Sequence, residues 1–352
     1  EQVCPLAEVL AAALRRPDYP GGSDRAVQEV QGDIVALRFI DRLLTEVRAL
    51  ESSRRPDVGL VLNCVAEELF PILARIAPPR TETMSIIDYT PSRVLKRREA
   101  IARIPARDVP SVLISTLHDD NVGVLPQLTT GAHHELLSDL KRAGWAGFST
   151  RYWLIGDHDG CVSYLARAAW EKDVTPRDAY RDEVAARCGP ECVDDMLEVF
   201  ARVEATTVDL EWHGLGLTFT VPGMMVKHWS AGELPAELAQ DREGYREALA
   251  AALLAREKAT RGEALIDYWI GRLRFGIGYI NCIELVHRAA SAQARGDRQQ
   301  AAELGYRALQ TVSDALEVYA QVARDRSDVG AIAVMDQFVY RELKAKVATL
   351  HE

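Results

Sequence analysis

GLVLNCV (Gly59–Val65), TMSIIDY (Thr83–Tyr89), SVLISTL (Ser111–Leu117) and WAGFSTRYW (Trp145–Trp153) are the stretches whose reading decides the fold. Each is a short apolar run bounded by Pro, Gly or Asp, and each is followed by a helix-like segment, the signature of repeated βα units. Between the runs lie ELFPILARIAP, SRVLKRREAIARI and HHELLSDLKRAG. Each of these is short enough to be one crossover helix between neighbouring parallel strands. The repeat of roughly 25 to 35 residues is that of βαβ units. Four units cannot close a (β/α)8 barrel, which needs eight strands. Two architectures answer this pattern: an open parallel sheet carrying a helical domain, or the second half of a barrel whose first four units lie on sequence outside this chain. The second is preferred, because polar residues follow all four runs, as the ligand face of a barrel requires. An open sheet would gather them at one switch point.

The flanks differ in texture. Residues 1–57 read as a helical segment associated with the barrel, with apolar positions three and four apart in PLAEVLAAALRR and DIVALRFIDRLLTEVRAL. Residues 58–160 carry the βα units of a TIM-type barrel and the site. Residues 161–352 form a helical C-terminal domain, with a short β excursion expected at GLTFTVPGMMVKHW and Ala-rich amphipathic helices from Leu238 onward. The expected fold class is therefore α/β: the C-terminal half of a (β/α)8 barrel followed by a mainly helical domain.

Composition narrows the function. The 352 residues hold 42 Lys+Arg against 52 Asp+Glu, a net charge of -10, which argues against capture of nucleic acid or of an anionic membrane surface. No apolar run approaches the roughly 20 residues that span a bilayer. The six cysteines contain no CxxC pair, so reduced thiols in a cytoplasmic protein are expected, a Cys188–Cys192 disulfide being the lesser alternative. The opening EQVCPLAEVL has neither Met nor a basic-then-apolar leader, so a processed or truncated product is expected.

In parallel α/β architectures the ligand meets the carboxyl ends of the strands. Asn63, Glu67 and Glu68 follow the first run, and Asp88, Tyr89 and Arg93 follow the second. His118, Asp119, Asp120 and Asn121 follow the third; Arg151, Tyr152 and Trp153 end the fourth, ahead of Asp157, His158 and Asp159 in GDHDG. Carboxylates, amides, a guanidinium and aromatic rings at one mouth are the inventory of a carbohydrate site: acids protonate the leaving oxygen or activate water, and rings lie against sugar faces. Asp88, with Asp119 or Asp120, is the candidate acid/base pair. Asn63, Glu67, Tyr89, Arg93, His118, Arg151, Tyr152, Trp153 and Asp157 are the candidate substrate binders.

Blander roles compete. Asp88 also suits a turn, and Glu67 and Glu68 suit the start of a helix. His133 and His134 read as surface residues, and Asp325, Arg326 and Asp328 as a charged helix surface. GDHDG falls short of the six or more oxygens that calcium wants, zinc would want closer His and Cys, and neither GxGxxG nor GxxxxGK[ST] occurs; no metal or cofactor is expected.

The order IIDYTPSR (86–93), LISTLHDDN (113–121), then GFSTRYWLIGDHDGCVSYLARAAWEKDVTPRDAY (147–180) resembles the back half of the catalytic barrel and the following helices of α-glucuronidases and related barrel glycoside hydrolases. In that family an Asp in a segment like DFQPRE ends a late strand, a second acid ends the next, and a run of the type AxxRLAWDPxLTPEEI follows, which SYLARAAWEKDVTPRDAY is similar to. The resemblance implies that Asp88 is the base-type carboxylate. It puts the second acid near His118–Asp120, where this chain has LHDDN in place of a Glu-containing string. The family's general acid comes from an earlier strand, for which Glu67 or Glu68 is the only local substitute. It implies a glycoside hydrolase acting on a uronic-acid-containing or otherwise decorated glycan. Three rivals stay open: a carbohydrate-binding protein without the acid pair, a scaffold whose C-terminal helices form a homodimer, and a metal-dependent hydrolase.

Overall fold

The computed structural model describes residues 60–63, 70, 73–77, 80–119, 122–152, 156–213 and 221–350, with scattered positions between 28 and 50. Four strands form a sheet in the order β1 (Leu60–Asn63), β2 (Thr81–Ser85), β3 (Ser111–Thr116), β4 (Gly147–Arg151). β1 runs parallel to β2 with Leu60 opposite Thr81, and β2 runs parallel to β3 with Thr83 opposite Ser111. The helices between them are α1 (Leu73–Ile76), α2 (Pro91–Lys96), α3 (Arg98–Arg103) and α4 (Thr130–Ala143). The alternation expected from the sequence is present. The described strands number four, however, whereas a closed barrel needs eight.

Local departures have physical reasons. β2 starts two residues before the apolar run, because the inward residues Thr81, Thr83 and Ser85 are small polar groups that the apolar pattern passes over. Their burial is tolerable where hydroxyls are paired: Thr83 Oγ1 donates to Ser111 Oγ at 2.8 Å, and Ser111 Oγ donates to the Val109 carbonyl at 2.8 Å. Asp88 consequently lies beyond the strand, in the turn before α2. The crossover SRVLKRREAIARI is two short helices broken at Arg97 rather than one.

The described residues divide into two compact units. The first takes those up to Tyr89 with 93–115 and 135–150, so it holds most of the sheet. Its apolar packing includes fully buried Leu113 and Ile101, and the Trp145 indole N–H donates to the Ile101 carbonyl at 3.1 Å.

The second unit takes 90–92, 116–134 and 151 onward and is mainly helical. Its helices are α5 (Asp159–Ala168), α6 (Pro176–Cys188), α7 (Val193–His213), α8 (Ala236–Lys258), α9 (Glu263–Ala294), α10 (Arg298–Val322), α11 (Arg326–Met335) and α12 (Arg341–Ala348). Their starts are written in the sequence. Thr175 and Asp178 form a reciprocal capping box around Pro176, Asp297 caps α10, and Asp325 caps α11 by accepting from the Ser327 N–H at 2.7 Å. The apolar faces of α7, α8, α9 and α10 meet in one large core, with Tyr279, Ile280, Phe275 and Tyr319 at or below 1% exposure.

Three sequence expectations are corrected in this unit. The β excursion at 216–229 is, over its described part, a turn and a single 3-10 turn at Val226–His228. Asp328 is completely buried rather than part of a charged surface. His133 is buried at 1% exposure, its ring Nδ1 2.9 Å from the Thr129 carbonyl one helical turn back. Cys188 and Cys192 are both buried free thiols. No described helix is long and apolar enough to cross a membrane.

Candidate functional site

The sequence candidates distribute over the two units. In the first, Asn63 ends β1 as an exposed residue, and Asp88, Tyr89 and Arg93 follow β2 as half-buried ones. Asp88 shapes its own turn: Oδ1 accepts the Tyr89 N–H at 2.7 Å, and Oδ2 lies 3.9 Å from Arg97, whose Nη1 donates to the Ile87 carbonyl at 2.8 Å. In the second unit, His118 and Asp119 follow β3, and Arg151 and Tyr152 close β4. The two strand ends are tied there by the Leu117 N–H donating to the Arg151 carbonyl at 2.9 Å. Glu67, Glu68, Asp120 and Trp153 lie outside the described residues.

What the second unit brings together is a buried polar knot around Asp157. Gly156–His158 make a 3-10 turn that feeds α5. Gly156 and Gly160 are required there because neighbouring rings press on the backbone: a Cβ on Gly156 would overlap the Tyr268 hydroxyl, and one on Gly160 the Tyr180 ring. The Asp157 carboxylate is gripped on both oxygens by Arg272 of α9, with Nε to Oδ1 at 2.9 Å and Nη2 to Oδ2 at 2.7 Å, and both side chains are fully buried. The Arg272 guanidinium also lies 4.5 Å over the Tyr319 ring. The Tyr268 hydroxyl stands 3.0 Å from both Asp157 Oδ1 and Asp328 Oδ1, so one proton is shared between two carboxylates. Asp328 is further held by the Tyr319 hydroxyl and by the Arg324 backbone N–H, each at 2.7 Å.

Two imidazoles extend this knot. His118 Nε2 faces Asp157 Oδ2 at 3.9 Å, and His118 Nδ1 meets His158 Nε2 at 2.6 Å, with ring centroids 3.7 Å apart. Burial pushes both rings below the ordinary histidine range and keeps them neutral. Burial alone would push the Asp157 carboxyl up, but the Arg272 charge and the His118 interaction outweigh it and hold it well below the usual carboxylate range. Asp119 belongs to a different contact set: it is fully buried, and its backbone N–H donates to Gln127 Oε1 at 3.1 Å.

His158 also forms part of the wall of a surface groove of about 500 Å³, together with Tyr152, Asp159, Val162, Ser163 and Arg187. Tyr152 is 48% exposed, its ring edge-on to His158 at 6.2 Å. Asp159 is the only carboxylate on that wall among the described residues, and Oδ2 accepts from Arg187 at 3.1 Å and from Arg324 at 2.8 Å. An aromatic face beside charged and hydroxyl groups can hold a hydroxyl-rich ring. Among the described residues no group of His, Cys, Asp and Glu is arranged to hold a metal ion. The sequence points to His118, Tyr152 and Asp157, gives Asp328 only a surface role, and assigns none to His158, Arg187 or Arg272. GDHDG drew attention as a metal-type loop, whereas Arg272 sits inside an otherwise apolar helical face with no local signal.

Comparison with known proteins places the architecture. No protein family's sequence pattern matches the chain, and no curated protein matches it. Among solved structures it is similar to a GH138 enzyme targeting pectin rhamnogalacturonan II, with a TM-score of 0.51 and 11% identity over 86% of this chain. The match spans 58% of that enzyme's length. At this identity the likeness is one of fold.

Proposed function

We propose that this chain is a carbohydrate-active protein of the glycoside hydrolase type, acting on a uronic-acid-containing or decorated plant-type glycan such as pectin. The observation that carries the reading is the fold similarity to the GH138 enzyme, joined to a groove whose wall carries exposed Tyr152, Ser163 and the Asp159–Arg187 pair. Asp88, Asp119 and Asp120 are kept from the sequence as the candidate carboxylates for an oxocarbenium-like transition state; the carboxylate on the described groove wall is Asp159. The four-stranded sheet as half of a barrel belongs to the same proposal.

A second reading, carbohydrate binding without hydrolysis, has its own support. A glycosidase needs two carboxyl groups about the scissile bond, and the groove wall offers one among its described residues, already engaged by two guanidinium groups. One experiment separates the readings: incubation with rhamnogalacturonan II and pectin oligosaccharides, following both calorimetric binding and release of reducing ends. Hydrolysis that falls by roughly 10²-fold or more in Asp88→Asn and Asp119→Asn supports the enzyme. Glycan bound yet intact over days supports the binding protein. Neither binding nor cleavage removes both.

A further inference from the structure

The state of one ring nitrogen beside the groove follows from its neighbours. Both oxygens of Asp157 accept N–H groups of Arg272, so this carboxylate stays ionised and only accepts. At 3.9 Å the His118 Nε2 contact is too long for a hydrogen bond. Its electrostatic preference is still clear: an N–H, not a lone pair, faces the carboxylate. A neutral imidazole carries one N–H, so His118 Nδ1 is bare, and in the 2.6 Å contact His158 Nε2 is the donor. His158 Nδ1 is then a bare acceptor. It is buried and has no hydrogen-bond partner among the described residues. A buried acceptor without a donor is uncommon in native proteins and asks for an occupant.

We infer that His158 is a ligand-binding residue of the groove: its Nδ1 accepts a hydrogen bond from a hydroxyl of the bound glycan, and the Asp157–His118 chain fixes the tautomer that makes it an acceptor. This rests on the carbohydrate reading of the groove. His158 selects for a hydroxyl that donates, so a fluorine or methyl ether at that position is refused. Asp157 and His118 are positioning residues, acting through His158. Nδ1 is screened from solvent, so the groove wall must open for the glycan to reach it; the exposed Tyr152 ring stands edge-on to the same imidazole at 6.2 Å.

The test uses the full chain labelled with ¹⁵N-histidine. Long-range ¹H–¹⁵N spectra at neutral pH, assigned with His158→Gln, should show His158 as the Nε2–H tautomer, with an Nδ1 resonance that moves on titration with pectin oligosaccharides. Affinity should fall roughly tenfold in His158→Phe and for the matching deoxyfluoro sugar. An Nδ1–H tautomer overturns the inference. So does an Nδ1 signal unmoved by a glycan that calorimetry shows to bind, and in that case the carbohydrate reading survives. No glycan binding at all overturns both. His118→Phe cuts the chain without unpairing Arg272, and an unchanged His158 tautomer in this folded variant overturns the role given to Asp157.

Discussion

Asp157 and Asp159 stand two residues apart in one loop, and each meets arginine, yet they live in different physical worlds. The Asp157–Arg272 pair is fully buried, bidentate and roofed by tyrosines. The side chains of Asp159, Arg187 and Arg324 are 33%, 42% and 30% exposed, so solvent screens the charges there. Charges removed from water are costly to separate, while screened ones are cheap to lose. The inner pair therefore fixes the loop, and the outer set is free to exchange its partners for a ligand's.

The sharpest way to break this contrast is Arg272→Met, which strands a buried carboxylate. Denaturant unfolding should show a loss of about 3–5 kcal/mol. A loss no larger than that of Arg187→Met would erase the distinction. Next comes acid. Burial holds His133 down at about 4, below its usual 6.5. A depressed histidine stabilises least where the unfolded chain binds the proton, so stability should fall as pH drops from about 6.5 toward 4, by on the order of 3 kcal/mol for His133. His118 and His158 act in the same direction. Asp157 acts in the same direction but in a lower window: its stabilisation is fully present above the ordinary carboxylate range and is lost as pH falls through and below that range. His133→Gln should flatten the stability profile measured between pH 7 and 4, whereas a profile as steep as the parent's would assign the slope elsewhere.

Smaller effects sharpen the same picture. Gly156→Ala should cost about 1–3 kcal/mol by driving a methyl group into Tyr268. Gly147→Ala, with nothing within 4 Å, should stay within about 0.5 kcal/mol, both variants being compared with the parent by denaturant unfolding. Smallest of all, Arg187→Met should cost about 1 kcal/mol or less, and that cost should shrink further in high salt.

The alternation of strands and helices was legible because apolar runs and turn residues carry it directly. β2 was misplaced by two residues because Thr81, Thr83 and Ser85 are buried polar groups, and apolar patterning cannot see a hydroxyl satisfied inside. The composition of GDHDG marks the loop after β4, and it and LHDDN carry Asp157 and His118 in plain view. Their partners were invisible: Arg272 and Asp328 lie 115 and 171 residues beyond Asp157 in the sequence, and no local rule couples such positions. The burial of Asp328 escapes the sequence for a related reason, since a charged run normally faces water and the Tyr268 and Tyr319 hydroxyls with the Arg324 N–H make its burial tolerable.

That long separation also has a consequence in time. During synthesis Asp157 leaves the ribosome 115 residues ahead of Arg272, an interval of roughly 6 to 23 s at ordinary elongation rates. For that interval Asp157, with the His118 and His158 imidazoles, is without the guanidinium that grips it, and the grip closes only after the penultimate long helix has emerged.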